Sequence, residues 1–200
     1  MSDRRWVEFI FDFGSPNAYL AYRALPEVLG SYEVSVRLTP CLLGGIFKAT
    51  GNQSPVTAFA QIKGKLAYQR LEMQRFIERY GIHRFSFNPH FPVNTLLVMR
   101  GLIAAEAAGV GKPYTEAVLT GLWEHQLKMD DPAIVADVLA AADLDATGLL
   151  DATRQPEIKQ RLIDNTAAAV ERGVFGIPTF FVGDEMFFGK DRLEQMTRYL

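Results

Sequence analysis

Residues 11–20 read FDFGSPNAYL, and they set one serine, Ser15, between a β-rich run and a proline suited to open a helix. A hydroxyl at that junction has two uses. Its oxygen can accept an unpaired backbone N–H of the first helical turn, or its proton can be offered to an anion drawn to the positive end of the helix dipole. Other reactive groups are sparse. Cys41 is the single cysteine, which excludes an internal disulfide, a Cys-x-x-Cys redox pair and a multi-cysteine metal site. Any thiol chemistry therefore needs a thiol brought in from outside. His83, His90 and His125 are too scattered to argue a metal site, and none is expected. Gly14-Ser15-Pro16 is not a Gly-x-Ser-x-Gly nucleophile elbow, which argues against a Ser-His-Asp hydrolase.

The elements that must position Ser15 follow from local pattern. Trp6 to Phe13 is β-branched, aromatic or apolar with little polar interruption, as a strand buried on both faces is. Gly14 ends it, and Ser15 as N-cap with Pro16 at the first helical position predicts a helix to Leu29, closed by Gly30. Tyr32 to Leu38 alternates as a second strand with Val34, Val36 and Leu38 on one face, completing a β-α-β unit. From Leu42 to Arg172 only helical periodicity and loops are evident. Asn52 to Pro55 reads as a loop, and Phe59 to Tyr80 as one long amphipathic helix with Leu66, Met73, Phe76, Ile77 and Tyr80 inward. Further helices are expected over 94–108, 114–128, 134–142 and 157–172, with starts marked by Asp131 before Pro132 and Gln155 before Pro156. The stretch FNPHFPVN, carrying Pro89 and Pro92, cannot be helical throughout. The chain then returns to β structure: Thr179 to Val182, a turn at Gly183-Asp184, Glu185 to Phe188, and a closing helix from about Asp191 to Leu200.

At 200 residues, 48% apolar and 22% charged, the chain has material for a packed core with an inserted helical region. A net charge of -2 with both signs interspersed offers no basic stripe, so nucleic acid is not an expected partner. No apolar run approaches the roughly 20 residues of a membrane span, and MSDRRWVEF lacks the apolar stretch of a signal peptide. A cytoplasmic protein with no membrane partner is expected.

The βαβ half, the ββα half and an Ile177-Pro178-Thr179 element just before the third strand resemble an α/β thioredoxin-like fold, with Pro178 in the place of its cis-proline. The large helical insertion makes the chain similar to the DsbA superfamily. The implied division is a thioredoxin-like domain from 1–40 and 173–200, with parts of the flanking helix 156–172, and an all-helical insertion domain at 41–172. Within that superfamily, FDFGSPNAYL, Gly51-Asn52, FNPHFPVN and above all VFGIPTFFVGDEMFFGKDRL resemble 2-hydroxychromene-2-carboxylate isomerases and the kappa-class glutathione transferases. Redox members of the superfamily start the first helix with Cys-x-x-Cys. Ser15, Pro16, Asn17 and Ala18 stand there instead, so dithiol exchange is impossible.

The resemblance implies glutathione as cofactor, with its sulfur beside Ser15 as the catalytic group. A helix dipole contributes roughly 0.3–1 kcal/mol and a charge-assisted hydrogen bond about 1.5–3 kcal/mol, enough to lower a thiol pKa by one or two units at about 1.4 kcal/mol each. The alternative is that Ser15 only caps its helix. By the same resemblance, Asp191 takes the γ-glutamyl ammonium, with the N-terminus of the last helix near the γ-glutamyl carboxylate. Lys65, or failing that Lys63, takes the glycyl carboxylate. Asn52 holds another polar atom of the peptide, and the Ile177 backbone beside Pro178 pairs with the cysteinyl backbone. Asn88 and Asn94 would face an acidic aromatic substrate, with Phe13 as apolar wall. Ordinary readings exist for each: solvated lysines, Asp191 as a helix cap, Asn52 as a turn residue, and Asn94 as a cap. The implied activity is glutathione-dependent cis-trans isomerisation of an unsaturated aromatic acid in aromatic catabolism, by a homodimer. A kappa-like transferase or peroxidase is the first alternative, and a glutathione-binding module without turnover the second.

Overall fold

A computed structural model describes residues 6–200. Four strands form one mixed sheet: β1 (Trp6–Phe11), β2 (Ser35–Pro40), β3 (Thr179–Val182) and β4 (Glu185–Phe188), in the order β2-β1-β3-β4. β1 and β2 run parallel, with Val7 opposite Val36 and Phe9 opposite Leu38, and helix α1 (Pro16–Leu29) makes the crossover that parallel pairing demands. β3 returns antiparallel to β1, placing Phe180 opposite Phe9, and β4 hairpins back on β3. β1 is central, buried along nearly its whole length, and the Phe9 ring lies 4.5 Å from that of Phe180. This is the thioredoxin-like arrangement expected.

Between β2 and β3 the described residues are helical: α2 (Leu43–Thr50), α3 (Pro55–Ala58), α4 (Lys65–Arg79), α5 (Leu96–Ala107), α6 (Gly111–Trp123), α7 (Pro132–Ala141), α8 (Ala146–Ala152) and α9 (Pro156–Glu171). Several boundaries differ from expectation. β1 stops at Phe11 instead of Phe13, because the Asp12 carboxylate accepts the backbone N–H of Gly14 and turns the chain. β2 starts three residues later and ends two residues later than expected, in register with β1, and as an edge strand it tolerates Pro40 at its end. The helix expected over 59–80 is broken by Gly64 in the left-handed region (φ 82°), and α4 begins only at Lys65. Pro55–Ala58, expected as loop and its sequel, is a short turn of helix capped by the Ser54 hydroxyl. α6 ends at Trp123, where Gln126 takes a positive φ of 59°. The closing helix is three short pieces, a 3-10 turn Lys190–Arg192, α10 (Leu193–Met196) and a second 3-10 turn Thr197–Tyr199, so no long dipole points at Asp191.

The helical stretch and the sheet share one core. The buried indole of Trp123 donates from Nε1 to the Phe13 carbonyl at 2.8 Å, fastening α6 to the loop that carries Ser15. α4 is the exception: Phe76 is its one buried residue, while Tyr68 and Leu71 stand in solvent.

Candidate active site

Ser15 occupies the N-cap of α1 with extended backbone (φ -94°, ψ 114°), and Pro16 follows at the first helical position. Its Oγ accepts the Ala18 N–H at 3.2 Å, the capping bond. The same hydroxyl donates to the Ile177 carbonyl at 3.0 Å, across 162 residues of chain. Both residues are nearly sealed, Ser15 at 4% and Ile177 at 6% exposure. The capping use read for the hydroxyl is thus present, while its proton is directed at a backbone carbonyl and not at an anion.

Asp12, three residues earlier, holds the turn. Its carboxylate accepts Gly14 N–H at 2.8 Å, Leu43 N–H at 2.7 Å and the Thr95 hydroxyl at 2.7 Å, so it binds the Ser15 loop to the first turns of α2 and α5. Burial raises its pKa, against the lowering by those three bonds. Asp12 and Thr95 were missed in the sequence; the available signal was a lone acid inside the apolar run FIFDFG, a position where a carboxylate has to be satisfied from within.

The Ile177-Pro178 bond is cis, as the resemblance implied; Phe91-Pro92 is also cis, which was not expected. Pro178 accepts the Gly189 N–H at 2.8 Å, which draws the Gly189-Lys190-Asp191 turn against the same loop. Asn52 reaches this loop from the other side, donating to the Phe175 carbonyl at 2.7 Å. Ser15, Asn52, Ile177 and Pro178 are therefore brought together around residues 175–178, with Asp191 on the adjoining turn. Half-exposed Phe175 and Phe188, with rings 4.5 Å apart, form an aromatic ledge beside them.

Asp191 is exposed, and its Oδ1 already accepts from Lys190 Nζ at 2.6 Å. The Lys190 side chain is buried, with Nζ 4.7 Å from the centre of the Phe76 ring. Nothing in the spacing of GKDR foretold a buried lysine. Asp191 is no helix cap; Gly189 precedes the 3-10 turn and Asp191 lies within it. Lys65 and Lys63 are exposed, and Lys65 Nζ lies 5.2 Å over the Phe59 ring, with no bond to the residues around Ser15. Asn94 is exposed next to Thr95, its Oδ1 accepting Leu96 N–H at the start of α5.

Two expectations need correction. Phe13 is 0% exposed: its ring packs on Phe11 and Tyr114, so it presents no wall to a substrate. Asn88 is buried, and its amide donates to the Leu122 and Leu127 carbonyls while accepting His90 N–H, which leaves nothing to face a ligand. It is the internal frame of the FNPHFPVN loop. Cys41 offers no reactive thiol, since burial, aided by the Asp12 and Glu8 charges, pushes it up to about 12. Among the described residues no cluster of His, Cys, Asp and Glu is arranged to hold a metal, and no helix is long and apolar enough to cross a membrane.

The family described as DSBA-like thioredoxin domain matches residues 6–200. The chain belongs to this family. Within the DSBA-like thioredoxin domain family it is 31% identical over 189 residues to a 2-hydroxychromene-2-carboxylate isomerase of Pseudomonas putida, covering 94% of this chain and 90% of that protein. It is 28% identical over 214 residues to glutathione S-transferase kappa 1 of Homo sapiens, covering 98% and 91%. A solved structure of a 2-hydroxychromene-2-carboxylate isomerase superposes with a TM-score of 0.82 at 30% identity, covering 96% of this chain and 93% of that one. This DSBA-like chain is thus homologous to isomerases and kappa-class transferases along almost its whole length.

Proposed function

We propose that this protein is a glutathione-dependent cis-trans isomerase of the 2-hydroxychromene-2-carboxylate type, acting in the cytoplasm as a homodimer on an unsaturated aromatic acid of aromatic catabolism. The observation that carries the reading is the Ser15 hydroxyl, buried at the N-terminus of a 14-residue helix and bonded to the Ile177 carbonyl just before β3. The residues present suit glutathione. The junction offers a hydroxyl and a positive helix end for a sulfur, Ile177 a peptide carbonyl for its backbone, and the exposed Asp191 carboxylate an anion for the γ-glutamyl ammonium.

Bound glutathione would supply a nucleophilic sulfur that adds to the unsaturated carbon and leaves again after rotation, so that the cofactor is regenerated. Ser15 and the α1 N-terminus favour the ionised sulfur over the thiol. Asp191 receives the γ-glutamyl ammonium through its free oxygen, and Asn52 and Ile177 orient the peptide. Lys65 receives the glycyl carboxylate; it stands at the start of the poorly packed α4, free of bonds that would hold it elsewhere. Asn94, with an exposed amide, and the Phe175-Phe188 ledge face the aromatic substrate.

The test is turnover of unsaturated aromatic acids with catalytic glutathione. Isomerisation with glutathione conserved supports the reading, and stoichiometric consumption replaces it with the kappa-like transferase or peroxidase, which the similarity to the human enzyme favours as second choice. Asp191→Asn is expected to raise the apparent KM for glutathione about tenfold with kcat near wild type, since a carboxylate on a remote ammonium contributes uniform binding. A fall in kcat at unchanged KM contradicts the placement of Asp191.

A further inference from the structure

The Ser15 hydroxyl is built with its proton facing away from any ligand. A serine oxygen has one O–H and two lone pairs. Here the O–H is given to the Ile177 carbonyl and one lone pair to the Ala18 N–H. What remains for an approaching sulfur is the second lone pair, which accepts from a thiol S–H and repels a thiolate. The ligand-free geometry is thus complementary to the wrong protonation state of the sulfur for nucleophilic work.

Freeing the proton has a definite consequence. Among the described residues the Ser15 hydroxyl is the donor that the Ile177 carbonyl has, and the site is buried. Rotation about Cβ–Oγ moves the proton without moving the oxygen, so the cap on Ala18 survives. It strands a buried carbonyl, however, and an unpaired buried acceptor is costly. A second donor must take the carbonyl at the same time.

Resting on the reading of the site as one for a peptide-borne thiol, we propose that Ser15 and Ile177 form a latch that the ligand's own backbone opens. A ligand N–H takes the Ile177 carbonyl, the Ser15 O–H turns onto the sulfur, and the thiol proton passes to solvent as the thiolate forms. The exchange runs forward because a hydrogen bond to an anion is roughly twice as strong as the neutral one it replaces. The latch selects for a thiol that carries an amide N–H within reach of Ile177. A simple thiol without an amide N–H, such as 2-mercaptoethanol, enters as the neutral S–H donor and is not activated. Thiol activation thus becomes a specificity device located in Ser15.

The experiment compares glutathione with its depsipeptide, in which an ester oxygen replaces the cysteinyl N–H and adds no bulk. Binding is measured by calorimetry, and the pKa of the bound thiol by thiolate absorbance at saturation. In the wild type, the glutathione pKa is expected to fall by at least about one unit and that of the depsipeptide by less than about 0.3 unit. Affinity for the depsipeptide drops no more than about tenfold, since Ser15 still satisfies the carbonyl. In Ser15→Ala the two ligands show the same pKa. Equal lowering for both ligands in the wild type overturns the latch while leaving the glutathione reading intact, as does an unchanged glutathione pKa in Ser15→Ala. A depsipeptide that loses far more than tenfold also overturns it, because the carbonyl is then unsatisfied without the ligand. Glutathione that does not bind the wild type at all removes the functional reading, and the latch with it.

Discussion

The junction of Ser15 with Ile177 and the segment from Asn52 to Arg79 both belong to the proposed glutathione site, and they are built in opposite ways. At the junction every polar group has a partner inside the protein: hydroxyl, carbonyl, carboxylate and cap are bonded across chain separations of up to 162 residues. In the other segment Lys63 and Lys65 stand in water, α4 buries one side chain, and Gly51 and Gly64 bracket the short α3 in left-handed conformations. The difference separates two tasks. In the proposed site the oxygen that would meet a sulfur is fixed before the ligand arrives, and only its proton has to turn. Groups that hold a distant carboxylate can be fixed by the ligand itself.

The sharpest way to break this comparison is Asp12→Ala. Three buried or part-buried donors lose their acceptor at about 1–3 kcal/mol each, partly offset by no longer burying a charge, and a loss of about 3–5 kcal/mol is expected in urea unfolding; a loss below about 1 kcal/mol would mean that the junction is not held as described. The pH dependence carries a sign. Burial sets the folded pKa of Asp12 above its ordinary 3.8, so protonation favours the folded state. Its contribution is full below the unfolded value and is lost as pH rises through the folded one. Asp12→Asn should remove that slope, and an unaltered slope assigns it to other groups.

Phe76→Ala comes next. As the single buried residue of α4 it should cost about 2 kcal/mol, less than the roughly 3–5 typical of a core Phe. Hydrogen exchange should show residues 65–79 deprotected while β1 and β3 are unchanged; protection lost throughout the sheet would show that α4 is integral to the core. Ser15→Ala, which removes the cap and the bond to Ile177, should cost about 1–2 kcal/mol in the same unfolding assay. A cost near zero would mean water replaces both bonds. The smallest effect is Lys65→Met, within about 0.5 kcal/mol on stability but with glutathione affinity lowered about tenfold. Undiminished affinity turns the choice to Lys63.

What was legible in the sequence follows the same division. α1 and the β3-β4 hairpin rest on local signals, Ser15-Pro16 and Gly183-Asp184, and both appear at the expected residues. α2 was invisible because LGGIFKAT spends two of its first three residues on glycine; Gly45 is there because a side chain would press on Thr166, a neighbour brought in by α9. The break at Gly64 was missed because the apolar spacing runs through it. Phe13 and Asn88 read as ligand-facing for want of knowing their partners, Tyr114 in one case and the Leu122 and Leu127 carbonyls in and after the last turn of α6 in the other. Ser15 could be singled out by type and place, but the direction of its proton depends on Ile177, fixed only by the sheet.

The Asp12 carboxylate has one more consequence, for anyone who would trim or graft this fold. Its donors come from positions 14, 43 and 95, so the acceptor is satisfied only when the turn after β1 and the starts of α2 and α5 are all in place. Deleting the helices between β2 and β3 to leave a minimal four-stranded sheet would strip two of the three donors from a buried acid just beyond the end of β1. The helical region is therefore not a detachable accessory. A transplant of the Ser15 loop to another scaffold has to carry Leu43 and Thr95 with it, or replace Asp12 by something that needs neither.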